Sequence, residues 1–162
     1  MNTAFLVLRT AHIVSAALIF GTGLGIAFFT WFGYRAALRS GDIGALRNIM
    51  RLTVTADTWI TAPAVTFQAL SGIGLMLAYG WPMVSAWSVT VWALFVLAGV
   101  CWLPILRLQV LLRREAEAAA SVAALPERFH AWFRWWFWLA LPAFGSVIAI
   151  YWMMVAKPLS IA

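Results

Sequence analysis

Charge is what this sequence has least of. Only 10% of its 162 residues are Asp, Glu, Lys or Arg, and only five of those are acidic. A soluble domain of this size could not cover its surface with so little polar material. Cysteine occurs once, as Cys101, which excludes an internal disulfide and leaves the redox compartment unread. Lying in the middle of an apolar run, Cys101 reads as a small buried apolar residue. Histidine occurs only as His12 and His130. There is no phosphate loop, zinc-ligand spacing, paired carboxylate or nucleophile triad, so nothing supports a soluble-type hydrolase or a nucleotide-driven machine.

Apolar residues fill the space left by charge. They make up 65% of the chain, and the mean hydropathy is +0.93. Four stretches dominate, roughly Phe5 to Phe32, Leu52 to Tyr79, Trp87 to Leu112 and Trp132 to Ala156. A helix crosses the hydrocarbon core with about 20 apolar residues, and each stretch meets that length. The first is too long for a signal peptide, has no basic segment ahead of it and shows no clear cleavage site, so it reads as a mature span. The expected fold is all-α, an antiparallel integral-membrane four-helix bundle over 1–162 as a single transmembrane domain, with helices near 5–32, 52–79, 87–112 and 132–156.

The net charge of +6 and the pI near 10.8 invite a nucleic-acid reading. Placement argues against it. Arg35, Arg39, Arg47 and Arg51 flank the first connection, and Arg107, Arg113, Arg114, Arg128 and Arg134 flank the third. The second, Gly80 to Ala86, has no charge. This is the positive-inside pattern, which puts connections one and three in the cytoplasm and both termini and connection two outside. The basic residues then serve orientation and attract anionic headgroups, so lipid and not nucleic acid is the expected partner. Tryptophan fits this map: Trp31, Trp59, Trp132, Trp135, Trp136 and Trp138 fall near the inner interface, and Trp81, Trp87 and Trp152 near the outer one.

Turns are expected at Ser40-Gly41-Asp42 and Gly80-Trp81-Pro82, and a helical extension of span three is expected over Arg113 to Leu125, ended by Pro126. Pro63, Pro104 and Pro142 lie inside spans, where each removes a backbone hydrogen bond and bends its helix, shaping the bundle or widening a cavity.

Chemistry must come from the few polar residues among the spans. His12 lies about two turns inside span one, with Arg9 one turn above it. A membrane-embedded histidine is costly unless bonded, paired or liganded. It could ligate haem iron or copper, or shuttle protons, or simply bond a neighbouring helix. His130, near the opposite interface, is ~25 Å away for a ~30 Å core, so the two cannot share one metal. It is expected to join Arg128 and Arg134 in an interfacial cationic cluster. Thr53, Asp57, Thr61, Gln68 and Gly72 form a stripe on span two. Asp57 reads as the carboxylate of a clasp with Arg107 or Arg134, or as the start of a proton path through Thr61 toward Gln68. Lys157, at the outer end of span four, is a snorkelling lysine or, with Arg9, a binder of carboxylates on a ligand centred at His12. Met76, Met83, Met153 and Met154 also lie toward the outer side, where thioethers would suit Cu(I). Ala17, Gly21 and Gly25 recur every four residues and form a groove for a close partner helix.

The segment Leu8-Arg9-Thr10-Ala11-His12-Ile13-Val14 resembles the first helix of HemJ-type protoporphyrinogen oxidases. Ala62-Pro63-Ala64 with Gly72 resembles their second helix, and Val155-Ala156-Lys157-Pro158 is similar to their closing Val-Lys-Pro. Phe20-Gly21-Thr22-Gly23-Leu24-Gly25, Cys101-Trp102-Leu103-Pro104 and Phe133-Arg134-Trp135-Trp136-Phe137 resemble signatures of a bacterial four-helix membrane family related to HemJ and to CopD-type copper proteins, and this likeness covers nearly the whole chain. The resemblance implies a haem-containing membrane oxidoreductase, with haem b as its cofactor, that acts on a porphyrinogen and passes electrons to quinone or the respiratory chain. His12 would be the metal ligand, and Lys157 would match the closing lysine. Span three, from Leu97 to Arg107, offers no histidine for a second axial position. The leading expectation is thus a haem- or porphyrin-binding redox protein with His12 as metal ligand and Arg9 and Lys157 holding propionates. Copper handling by His12 and the methionines, and a non-catalytic subunit or homo-oligomer joined through Ala17, Gly21 and Gly25, are the alternatives.

Overall fold

The computed structural model describes residues 3–157, and every regular element among them is helical. The elements are α1 (Thr3–Ser40), α2 (Ile43–Ala56), α3 (Ala62–Tyr79), α4 (Ala86–Ala118) and α5 (Glu127–Ala156). A π-helical segment, Asp57–Thr61, joins α2 to α3 into one span, and a 3-10 turn, Val122–Ala124, precedes α5. Four helical units, α1, Ile43–Tyr79, α4 and α5, are long and apolar enough to cross a membrane.

The helices outrun the apolar stretches at the arginine-rich end. At ~1.5 Å per residue, the 38 residues of α1 extend ~57 Å, nearly twice a ~30 Å hydrocarbon core. The added turns carry the arginines, whose long stems favour helix. Turn chemistry sets the helix ends. Gly41 takes φ +72°, open to glycine at no steric cost, and Asp42 then caps α2 by accepting from the Ala45 amide at 2.9 Å. Gly80, at φ +63°, closes α3. Ser85 caps α4 through the Ser88 amide at 3.1 Å, and Pro126 stands at the N-cap of α5.

Pro63 accounts for the π-helical segment. It has no N–H to return to the preceding turn, and its ring crowds the carbonyl four residues back. The backbone widens instead, and the Ala62 amide reaches the Asp57 carbonyl five residues away.

The tightly packed core gathers at the arginine-rich end, where Leu46, Met50, Leu112, Phe129 and Phe133 are almost wholly buried. Aromatic stacking ties α1 to α5 there: Tyr34 and Phe133 lie 3.9 Å apart between centroids, and Trp31 and Phe133 5.9 Å. A Cβ at Gly33 would overlap Ile49, so this glycine lets α1 close on α2. Arg47 donates to the carbonyls of Ala116 (3.0 Å) and Ala119 (2.6 Å), closing the C-terminus of α4 with a cation. At the other end, α3 packs on α1, and α4 on α5 through Trp87, whose indole N–H donates to the Met153 carbonyl at 2.8 Å. Gly21 and Gly25 meet nothing: a Cβ at either would have no neighbour within 4 Å, so the chain's own helices leave that groove open.

Candidate functional site

His12 sits between α1 and α3 in a closed set of hydrogen bonds. Its Nδ1 lies 2.7 Å from Ser71 Oγ, and its Nε2 lies 2.9 Å from Gln68 Nε2. The Ser71 hydroxyl donates to the Phe67 carbonyl at 2.6 Å, so it can only accept from His12 Nδ1–H. The ring is therefore the Nδ1–H tautomer, with Nε2 accepting from the Gln68 amide. Gln68 Oε1 is buried and unpartnered beside it. Gly72 makes the room: a Cβ there would lie 3.3 Å from His12 Cε1. One turn further along α1, Ser15 donates to the Ala64 carbonyl at 2.9 Å, and the Tyr151 hydroxyl donates to the Ala16 carbonyl at 2.5 Å. These bonds pin α1 to α3 and to α5 around the ring.

On span two, Asp57, Thr61 and Ser71 are buried, and Gln68, between them in sequence, is half-buried. Asp57 takes no arginine. The expected clasp to Arg107 or Arg134 does not form, because the carboxyl turns into the bundle toward Thr61, Gln109 and Trp102, and the ion pairs among the described residues are Arg51–Glu117 and Arg128–Glu115. Around it, Thr61 Oγ1, Trp102 Nε1 and Gln109 Oε1 are buried without a hydrogen-bond partner of good geometry. One turn toward the basic end, Thr53 shares a 2.6 Å hydrogen bond with Thr30 of α1.

At the basic end, His130 Nδ1 meets the Tyr34 hydroxyl at 2.6 Å, and His130, Arg128 and Arg134 line one open groove on α5. Arg128 is paired with Glu115 at 2.7 Å. At the opposite end, Lys157 Nζ stands 5.4 Å from the Trp81 ring centroid, and Arg9 is exposed. Pro158, the last residue of the closing motif, lies outside the described residues. Of the four methionines toward that end, Met153 is buried while Met83 and Met154 are exposed. Among the described residues, no group of three or more His, Cys, Asp or Glu could hold a metal ion.

Ser71, Gln109, Trp102 and Tyr34 are the partners that residue patterning missed. Ser71 was accessible in principle, lying three residues after Gln68 on the same face. Gln109 and Tyr34 belong to other helices, and only the packing brings them in.

The profile of a family described as "Predicted integral membrane protein (DUF2269)" matches residues 6–158. No curated protein and no solved structure matches the chain.

Proposed function

The chain belongs to the DUF2269 family of predicted integral membrane proteins, and from that premise we propose that it handles protons across the membrane. His12 and the polar stripe of span two are the path. The unit is a single transmembrane bundle in a bacterial inner membrane, with connections one and three in the cytoplasm and both termini outside, as the arginine distribution favours.

The observation that carries this reading is the pair of partners on the His12 ring. Neutral imidazole donates from Nδ1 to Ser71 and accepts at Nε2 from Gln68. A half-turn of the Gln68 amide would present Oε1, now unpartnered, to Nε2. That arrangement would accept a hydrogen bond from a protonated Nε2 with no other group moving. The cage therefore suits both charge states of the ring, which is what a relay needs. Asp57, fourteen residues before Ser71 on the same stripe, lies ~21 Å along the helix axis, most of a ~30 Å core. Asp57, Thr61, Gln68 and His12 thus carry carboxyl, hydroxyl, amide and imidazole groups through the bundle interior. Proton uptake by liposomes holding the purified protein, driven by an imposed potential, tests this. The parent is expected to exceed protein-free liposomes, and His12→Ala and Asp57→Asn to fall to their level. Parent uptake equal to that of empty liposomes, or unchanged in both variants, overturns the reading.

The HemJ resemblance supports a second reading, a haem- or porphyrin-binding redox protein. One observation favours it: Ser71 fixes Nδ1, the kind of outer contact that orients a ligating histidine and leaves Nε2 for the metal. As described, the residues do not fit an axial ligand, because Gln68 occupies Nε2. A Soret band that is lost in His12→Ala would establish the haem reading. The absence of both Soret band and extractable porphyrin from the purified protein would remove it.

A further inference from the structure

We propose that the basic end of α5 holds the phosphodiester of an anionic phospholipid, with Arg134 as its main contact. Two open grooves on the outer face of α5 meet at this residue, which is itself exposed. One, about 490 Å³, is lined by Glu127, Arg128, His130, Ala131 and Arg134. The other, about 300 Å³, is lined by Arg134, Trp135 and Trp138. The first is charged and the second is aromatic, so the pair is polar toward the helix start and apolar toward the membrane centre. A glycerophospholipid has the same order, headgroup then glycerol and acyl chains. Trp135 and Trp138 are 64% and 62% exposed, the setting in which indoles mark headgroup depth.

Arg134 is the uncommitted cation of the group. It makes no hydrogen bond or ion pair to any described residue, and its charge acts on the Tyr34 phenol. The other charges facing the groove are committed or opposed. Arg128 is engaged by Glu115 and lies 5.9 Å from the Trp132 ring centroid. His130 gives its Nδ1 to Tyr34. Glu127, exposed in the first turn of α5, would repel a phosphate and so sets the anion toward Arg134. A guanidinium presents parallel donors that match two phosphate oxygens, and it is less strongly hydrated than an ammonium. Arg128 and Arg134 outnumber the single Glu127 carboxylate in this groove, which favours a lipid of net negative charge over a zwitterionic one.

Native mass spectrometry of the full chain, released from detergent holding equal phosphatidylglycerol and phosphatidylethanolamine, tests the site. The parent is expected to retain phosphatidylglycerol preferentially. Arg134→Gln should lower that retention about tenfold, the equivalent of one charge-assisted contact. Arg39→Gln removes the same charge at the same end and should leave it unchanged. Glu127→Gln should raise it. Equal retention of the two lipids, displacement of phosphatidylglycerol by inorganic phosphate, loss in Arg39→Gln as deep as in Arg134→Gln, or no response to Arg134→Gln would each overturn the proposal. The phosphate result would mark a free-anion site instead.

Discussion

A histidine inside a lipid-facing bundle must have both ring nitrogens answered, and here Ser71 and Gln68 answer them. Ser71→Ala would leave Nδ1–H without an acceptor at a depth where water does not replace it. The expected cost is roughly 1–3 kcal/mol of stability. It should appear as a lower thermal midpoint in detergent, and in His12→Phe the further loss from Ser71→Ala should vanish. An additive loss in the double variant would mean the two side chains do not act together. That His12 must find polar partners was legible in the sequence, because lipid leaves a histidine few options. Its partners were less so. The stripe gave Gln68, but the one-turn step to Ser71 hides behind the ordinary frequency of serine in membrane helices. Asp57 shows the opposite failure. Charge counting paired it with an arginine, whereas burial turned it toward the neutral donors of Thr61, Gln109 and Trp102.

Among the elements, span two departs most from regular helix, and Pro63 explains why. The proline could be read directly. The π-helical widening at Asp57–Thr61 could not, because a proline kink and a π-helical turn share the same sequence cue. The helix ends extended past the apolar stretches for a related reason: hydropathy marks the lipid and says nothing about where hydrogen bonding stops. One contact beyond the lipid ties α2 to α4. Arg51 donates to Glu117 at 2.7 Å, and this hydrogen bond, aided by the nearby charges of Arg51, Arg113 and Arg47, holds the exposed Glu117 carboxyl below its ordinary value. A carboxyl lowered in the folded state contributes stability above the unfolded value of 4.5, and loses it as pH falls through the folded one. The difference in thermal midpoint between the parent and Glu117→Gln should therefore be present at neutral pH and close on acidification through the carboxylate range. A gap that persists at low pH would contradict this link.

For the whole molecule, four spans and their antiparallel order were legible because apolar length is a strong signal. The unequal packing along the bundle was not. Buried aromatics crowd the basic end, while small and hydroxylated residues surround His12 at the other. The orientation proposed from the arginines can be read on intact cells. In a Cys101→Ala background, Val84→Cys, in the uncharged connection, should react with a membrane-impermeant maleimide, and Ala123→Cys, beside α5, should be protected. The reverse pattern would invert the topology and move His12 to the cytoplasmic half. The account as a whole rests on the state of one imidazole. With only two histidines in the chain, nitrogen-15 NMR of histidine-labelled protein, assigned with His130→Gln, reports it directly. At neutral pH, His12 should show one protonated nitrogen, Nδ1, and one unprotonated, hydrogen-bonded nitrogen, Nε2. A ring averaging rapidly between tautomers as in free solution, or carrying its single proton on Nε2, would contradict the account.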